Sequence, residues 1–490
     1  MDELKYPADS GSGVTIERQA LAGLKWVALA KLSGQVISWI TTLWVMRLLL
    51  PQDYGLLAMV TVVITLLANV AELGIGAAVI QAQAVSREDL AKINGMIALT
   101  NVSIFALLVL GAPLISRAFG VEQLTPLVQV AASQFLIDAI ATLPQALAQR
   151  SFEFKRLAMI ELSTVVTSAA STLGLALYGA GVWSLVIGGL AAAVVRALML
   201  TRRGLVRPSF RLAGVRKYLA IGGAVMFGRF IWQCVYQSDV LIGARRIGVT
   251  EIGAYSVALN LATLPMQKIM GVVNQVALPA VARLQDDSER LRQRLIEASR
   301  LVAAVSVPMM WGLSATATEL VGILLGENWS GAVFPLQAIS LVVPVRMISA
   351  IFYTAVLGIG QARLDFRNNL VTAIVLPSAF FAGTFWGVDG LAASWLVAIP
   401  LVFALNFPRV ARALSITVGD VACSAWRALA AGVAMYLAVI AARNALDETA
   451  EAIRLTVLVG TGAIAYVGVL HMLDSAIWRD LIRYARGARS

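Results

Sequence analysis

The sequence predicts an all-α, polytopic membrane protein of about fourteen transmembrane helices, built as two pseudo-symmetric six-helix lobes followed by two more helices. Three observations predict it. Apolar residues make up 59% of the 490 and charged residues 14%, with a mean hydropathy of +0.80, which leaves too little polar surface for a water-soluble fold. Apolar runs long enough to cross a bilayer recur along the chain, with no large soluble segment between them. The chain also repeats itself, since residues 23–47 are echoed by residues 222–246.

The spans run roughly over 22–48, 54–78, 93–116, 124–148, 157–178 and 181–201, then 217–243, 252–280, 297–318, 330–358, 367–386 and 388–408, and last 420–442 and 453–473. Their joints carry the repeat. Asp53-Tyr54-Gly55 opens the second span as Glu251-Ile252-Gly253 opens the eighth. Glu153-Phe154-Lys155 leads into the fifth as Asp365-Phe366-Arg367 leads into the eleventh, and Gly181-Val182 opens the sixth as Gly387-Val388 opens the twelfth. These matches place an N-lobe over 1–213, a C-lobe over 214–415, and two added helices with a basic tail over 416–490. Each lobe holds an even number of helices, so the two share one topology about an axis along the membrane normal. Transporters of that build hold substrate between their halves and rock them to alternate access.

Lysine and arginine set the orientation. In the loops and at the span ends, one side of the membrane holds only Arg47, Arg117, Arg245, Arg246, Arg443 and Arg454, while most of the others crowd the side that carries both termini. The positive-inside rule makes that crowded side, and both termini, cytoplasmic. The net charge of +11 is thereby explained by anionic lipid headgroups and calls for no nucleic acid. Trp44, Trp183, Trp329 and Trp386 fall near span ends on the opposite side, and Trp26 and Trp478 near cytoplasmic ends, as interfacial anchors do. The acidic start, with Asp2, Glu3 and Asp9, is unlike a cleaved signal peptide.

Polar residues inside the spans mark the candidate site. Lys31, Gln35, Ser38 and Thr42 follow one helical stripe in the first span, and Arg229, Gln233 and Tyr236 repeat its start in the seventh. Lys31 sits ~12 Å into its span at 1.5 Å per residue, and a mid-membrane cation costs about 2.5–3.5 kcal/mol unless it faces a wet cavity or a partner. Lys268 and Arg346 add cations in the second half, and Glu72, Asp138 and Asp239 are the candidate counter-charges or ion-coupling sites. Cations among amides suit a diphosphate, because guanidinium and ammonium groups give charge-assisted bonds to phosphate oxygens, and they would repel a cationic drug. Arg196, Arg427 and the single histidine, His471, lie near helix ends and are expected at the interface. Pro265, Pro308, Pro344, Pro377 and Pro400 interrupt helical hydrogen bonding within spans and are candidate bends.

Other chemistries find little support. No Gly-Lys-Ser/Thr occurs, hence no Walker A loop, and no His-Glu-x-x-His. One histidine cannot build a multi-histidine metal site, and the two cysteines, Cys234 and Cys423, lie in apolar runs. Neither cofactor nor metal is expected, and the non-cytoplasmic loops are short for an enzyme acting on sugars.

Three segments carry a family resemblance: Arg47-Leu-Leu-Leu-Pro-Gln-Asp-Tyr-Gly55, Glu72-Leu-Gly-Ile-Gly-Ala-Ala-Val-Ile-Gln81 and Gln149-Arg-Ser-Phe-Glu-Phe-Lys-Arg156. They resemble the Wzx-type polysaccharide exporters of the multidrug/oligosaccharidyl-lipid/polysaccharide superfamily, and most of all the branch that exports colanic acid, xanthan and similar exopolysaccharides. The resemblance covers almost the whole chain. It implies a flippase that carries an undecaprenyl-diphosphate-linked oligosaccharide unit across the bacterial inner membrane by alternating access, driven by a proton or sodium gradient or by downstream polymerisation. The partners it implies are the lipid-linked oligosaccharide, H+ or Na+, and a polymerase with chain-length proteins. Family motifs do not specify the ligands, so Lys31, Arg229, Lys268, Arg346, Gln35 and Gln233 are assigned by position alone. The alternatives are an ion-coupled drug/cation antiporter of the same superfamily and a membrane glycosyltransferase or polymerase.

Overall fold

Lipid offers a backbone amide nothing to bond, so a spanning chain must satisfy its own hydrogen bonds within helices. A computed structural model of the chain, describing residues 3–5, 13–71, 84–151, 153–202, 204, 206–210, 230–283, 287–446, 450–477 and 479, is helical nearly throughout. The described helices fall on the predicted spans with shifted ends. The first begins at Gly13 rather than near 22, for instance, and the helix expected over 388–408 continues to Ala413. Nine helical runs among the described residues are long and apolar enough to cross a membrane, one of them the 52-residue run Ala362–Ala413 that contains two predicted spans. The chain divides into two compact units, Met1–Arg245 and Arg246–Ser490.

The first unit contains α1 (Gly13–Leu48), α2 (Pro51–Ala71), α3 (Arg87–Phe119), α4 (Leu124–Arg150), α5 (Phe154–Leu177) and α6 (Val182–Thr201), and it closes in α7 (Ser238–Arg246). A pair of three-residue strands, Glu3–Lys5 and Ala84–Ser86, runs antiparallel with Leu4 opposite Val85. The helices start and stop where local chemistry provides for their unpaired ends. Ser86 Oγ accepts from the Asp89 N–H to cap α3, and Gly120 ends that helix in the left-handed conformation. Helix α3 packs on α4, α1 on α5, and α6 on both α4 and α5. Leu90, Ile93, Met96 and Ile97 meet Leu143 and Ala146 in the α3–α4 seam.

Asp53 explains the Pro-Gln-Asp-Tyr-Gly segment. Its Oδ2 accepts from the Leu50 N–H at 3.0 Å and its Oδ1 from the Val182 N–H at 2.9 Å, so one carboxylate fastens the start of α2 to the start of α6. The adjoining Gly181 has φ 55° and ψ −136°. Gly387, its partner in the repeat, has φ 71° and ψ −153°. Both lie in a backbone region open essentially to glycine alone, so the sequence match at these joints reflects one shared turn.

The second unit contains α8 (Val249–Arg283), α9 (Ser288–Ala315), α10 (Ala317–Leu324), α11 (Val333–Gly358), α12 (Ala362–Gly383), α13 (Gly387–Ala413), α14 (Val418–Ala445) and α15 (Glu451–Leu473). Helix α11 packs against α8, α9 and α13, with α12 against α13. The span expected over 297–318 ends at Thr316, where the chain bends by 67° into the short α10. Trp329 departs from its expected role as an interfacial anchor. It is 1% exposed, because the 3-10 turn Glu327–Ala332 folds against α8 and carries the indole inward.

Two ion clusters bind the last helices to α9 and α10. At one end Glu319, 1% exposed, accepts from Arg443 Nε at 2.9 Å and Nη2 at 2.8 Å, with Arg454 Nε at 3.4 Å. At the other end Asp474, 3% exposed, accepts from Arg300 Nε at 2.9 Å and lies 3.2 Å from Arg427. Arg427, expected at the interface, is thus an ion-pair partner of Asp474. Ser299–Ser424 at 2.9 Å and the Tyr466 hydroxyl on the Ala304 carbonyl at 2.9 Å fill the seam between the clusters.

Two outcomes test this account. Gly181→Ala and Gly387→Ala should each lower stability by about 1–3 kcal/mol through backbone strain, whereas Gly111→Ala, at a helical site with open space around it, should not. Thermal unfolding of the purified protein reads the difference. Arg443→Met leaves the Glu319 carboxylate with the longer Arg454 contact only and should lose about 3–5 kcal/mol, while Glu319→Leu combined with Arg443→Met should recover most of that loss.

Candidate functional site

In the first unit Lys31 projects from α1 into a cavity of about 670 Å³ shared with α4, α5 and α6, where Gln145, Gln149, Glu161, Thr164 and Arg196 also line the wall. Phe154 stands among them, and Leu157, Ile160 and Leu200 form the apolar part of the lining. The volume falls within the range typical of small-molecule sites. Among the described residues, Lys31, Gln145, Gln149 and Glu161 are held by no other side chain, and Lys31, Gln149 and Glu161 are exposed. The wall thus offers an ammonium, two amides and a carboxylate to whatever enters.

Arg196, expected merely to reach the interface, forms an ion pair with Asp138 at 2.5 Å, from α6 to α4. The pair is partly open, with side chains 34% and 24% exposed, so both charges keep some access to water. Arg156 takes a different part: its Nη1 bonds Glu153 at 2.9 Å and its Nη2 donates to the carbonyls of Met199 and Leu200, capping the end of α6. The Phe-Glu-Phe-Lys-Arg segment is thus a clamp on the end of α6.

The other candidates lie apart. Gln35 is half-buried one turn beyond Lys31 on α1. Gln233 is half-buried in the helical stretch 230–236 that precedes α7. In the same region the Gln237 amide donates to Thr65 Oγ1 of α2 at 3.4 Å. Asp239 is fully buried and its Oδ1 accepts from the Val240 N–H at 2.7 Å. Glu72 and Arg229 lie outside the described residues.

In the second unit Arg346 of α11 lies 4.8 Å over the ring of Trp395, whose indole N–H donates to the Tyr255 hydroxyl at 2.8 Å. Phe380 packs on the same indole with ring centroids 4.9 Å apart. A guanidinium on an aromatic face is stabilised by about 0.5–2 kcal/mol, so Arg346 has a structural role besides the anion-binding one expected. Lys268 is exposed on α8. Position within a span singled out Lys31, which lines the cavity, but not Gln145, Gln149 and Glu161, because these become one wall only when α4 and α5 pack. Gln149 alone lies in the Gln149-Arg-Ser-Phe-Glu153 part of the family segment.

A double-mutant cycle on Asp138→Asn and Arg196→Gln should show a coupling of about 0.5–3 kcal/mol in thermal or denaturant unfolding. Additive losses would mean that the two side chains stabilise the unit separately.

Known proteins are similar to this chain in sequence and in fold. The model of a family described as polysaccharide biosynthesis protein matches residues 44–334. The lipopolysaccharide biosynthesis protein WzxC of Escherichia coli is 24% identical over 389 residues, covering 78% of this chain and 79% of its own. The succinoglycan biosynthesis transport protein ExoT of Rhizobium meliloti is 24% identical over 391 residues, covering 79% and 78%. Among solved structures, the lipid II flippase MurJ in an inward closed conformation superposes with a TM-score of 0.73 at 13% identity, over 93% of this chain and 99% of that one, a likeness of fold.

Proposed function

The chain belongs to the polysaccharide biosynthesis protein family, and from that premise we infer that it is a flippase for a lipid-linked oligosaccharide destined for export. The observation that carries the reading is the first-unit cavity, where Lys31, Arg196, Gln145, Gln149 and Glu161 meet inside a bundle of apolar helices. A lipid-linked sugar presents hydroxyls and phosphate oxygens to such a wall. Amides and a carboxylate bond hydroxyls, and cations bond phosphate. The chain moves its substrate and performs no chemistry on it.

The substrate we propose is an undecaprenyl-diphosphate-linked repeat unit, taken from the cytoplasmic leaflet of a bacterial inner membrane, with both termini of the chain in the cytoplasm. Lys31, Arg229, Lys268 and Arg346 are proposed to neutralise the diphosphate, with Gln35 and Gln233 hydrogen-bonding it, during passage by alternating access between lobes bounded near residues 213 and 415. Glu72, Asp138 and Asp239 are proposed for coupling to H+ or Na+, Asp138 through its pair with Arg196. A polymerase and chain-length proteins are the proposed partners after export. A drug/cation antiporter would call for an acid-dominated cavity, whereas this one sets a single carboxylate, Glu161, beside Lys31 and Arg196.

The test is leaflet-resolved accumulation of undecaprenyl-diphosphate-linked sugars in cells depleted of the protein. Native gene should clear units from the cytoplasmic leaflet. Lys31→Ala should slow clearance about tenfold or more, as loss of a bond to a charged group of roughly 1.5–3 kcal/mol requires. An unchanged lipid-linked pool on depletion would end the flippase reading.

A further inference from the structure

The second unit holds a cavity of about 830 Å³ at the turn between α11 and α12, lined by Arg363, Arg367, Arg409 and Arg412 with Gln361. We propose that this arginine pocket binds the phosphate headgroup of an anionic membrane phospholipid in the cytoplasmic leaflet.

Helix geometry brings the four together. Arg363 and Arg367 sit one turn apart at the start of α12, and Arg409 and Arg412 lie in the last turns of α13, the antiparallel neighbour. The chain reverses from α11 into α12 at Gly360, whose φ is 77°. No carboxylate lines the cavity. Asp365, the acid within the same turn, accepts from the Asn369 amide at 3.0 Å. Arg409 donates to the Leu405 carbonyl and to Asn406 Oδ1. Among the described residues, none of the four arginines forms an ion pair.

Helix-end stability accounts for Arg409 and Arg412, which lie at the negative C-terminal end of α13, but not for the other two. The start of a helix carries partial positive charge, so Arg363 in the first turn of α12 opposes the helix dipole. The corresponding turn of the first unit also borders a cavity, of about 570 Å³ and lined by Arg87, Arg156 and Arg207, but there a carboxylate is present and Arg156 is closed on it, Glu153, and on two carbonyls of α6. In the repeat, Arg156 aligns with Asn368, so the second unit lacks that clamp and gathers arginines around open space. Planar guanidinium groups match phosphate oxygens two at a time, and basic pockets between helices on the cytoplasmic side hold lipid headgroups. On the orientation proposed above, on which the choice of leaflet rests, this end lies in the cytoplasm.

The chemistry continues down the helices. Phe366, Leu370 and Ile374 on α12 are 68%, 54% and 62% exposed. Leu405, Leu401 and Val397 on α13 are exposed as well. Each set recurs every fourth residue, so it forms one stripe that runs from the arginine end along its helix. A phosphate bound at the arginines would leave its acyl chains along these stripes, which suits a lipid better than a free anion.

The experiment uses the purified full chain, delipidated in detergent and titrated with phosphatidylglycerol, with bound lipid read by native mass spectrometry. The native chain should bind phosphatidylglycerol at least tenfold more tightly than Arg363→Gln/Arg412→Gln, and the milder Arg367→Gln should weaken binding threefold or more. Arg202→Gln/Arg290→Gln, which removes two charges elsewhere, should bind as the native chain does. Equal weakening by that control pair would overturn the site, as would binding unchanged in both pocket variants. Displacement by inorganic phosphate as effective as by phosphatidylglycerol would replace the lipid with a free anion. Displacement by undecaprenyl diphosphate at lower concentration than phosphatidylglycerol itself would give the pocket to the transported lipid. No transport is measured, so the outcome is independent of the flippase reading.

Discussion

An ionised side chain among apolar helices is stable only with a partner or with access to water, and that constraint organises both units. In the second, Glu319 and Asp474 are almost completely buried, and each has two arginines within reach. The added helices α14 and α15 are thereby fastened to α9 and α10 at both ends, by contacts that fit only one register. Breaking such a pair strands a charge, which makes the geometry selective even where the net stabilisation of a buried ion pair is small.

The first unit meets the same constraint differently. Asp138 and Arg196 form a partly open pair, while Lys31 and Glu161 take the other solution and face a cavity. Water or a polar ligand must then supply the missing bonds. On the proposed function, the hydroxyls and anionic oxygens of a sugar-phosphate headgroup would replace the water that the wall otherwise holds.

The two halves of the repeat show how related turns diverge in use. Gly181 and Gly387 retain the same glycine-only conformation at the entry to α6 and α13. The turns that precede α5 and α12 have separated: both border a cavity, but Arg156 is satisfied against Glu153 and the end of α6, whereas Arg363, Arg367, Arg409 and Arg412 surround theirs without a carboxylate. A backbone requirement is held because no other residue can meet it, and a side-chain cluster is free to change because many arrangements stabilise a helix end.

Much of this was legible in the residues. Hydropathy placed the helices because lipid permits little else, the joints of the repeat identified Gly181 and Gly387 as equivalent, and depth within a span singled out Lys31. Other features needed the fold. Nothing local distinguishes Glu319 or Asp474 from a surface acid, since their partners Arg443, Arg454, Arg300 and Arg427 lie more than a hundred residues away or across a turn. Arg346 read as a free-standing cation until α13 brought Trp395 beneath it, and Trp329 read as an anchor until a 3-10 turn folded it inward. Sequence alone determined the helices, their order and the repeat, because burial in lipid depends on composition over a span. Which charges meet, and which are left facing a cavity, only the tertiary structure decided, because a salt bridge depends on a few ångströms between helices that the sequence does not place.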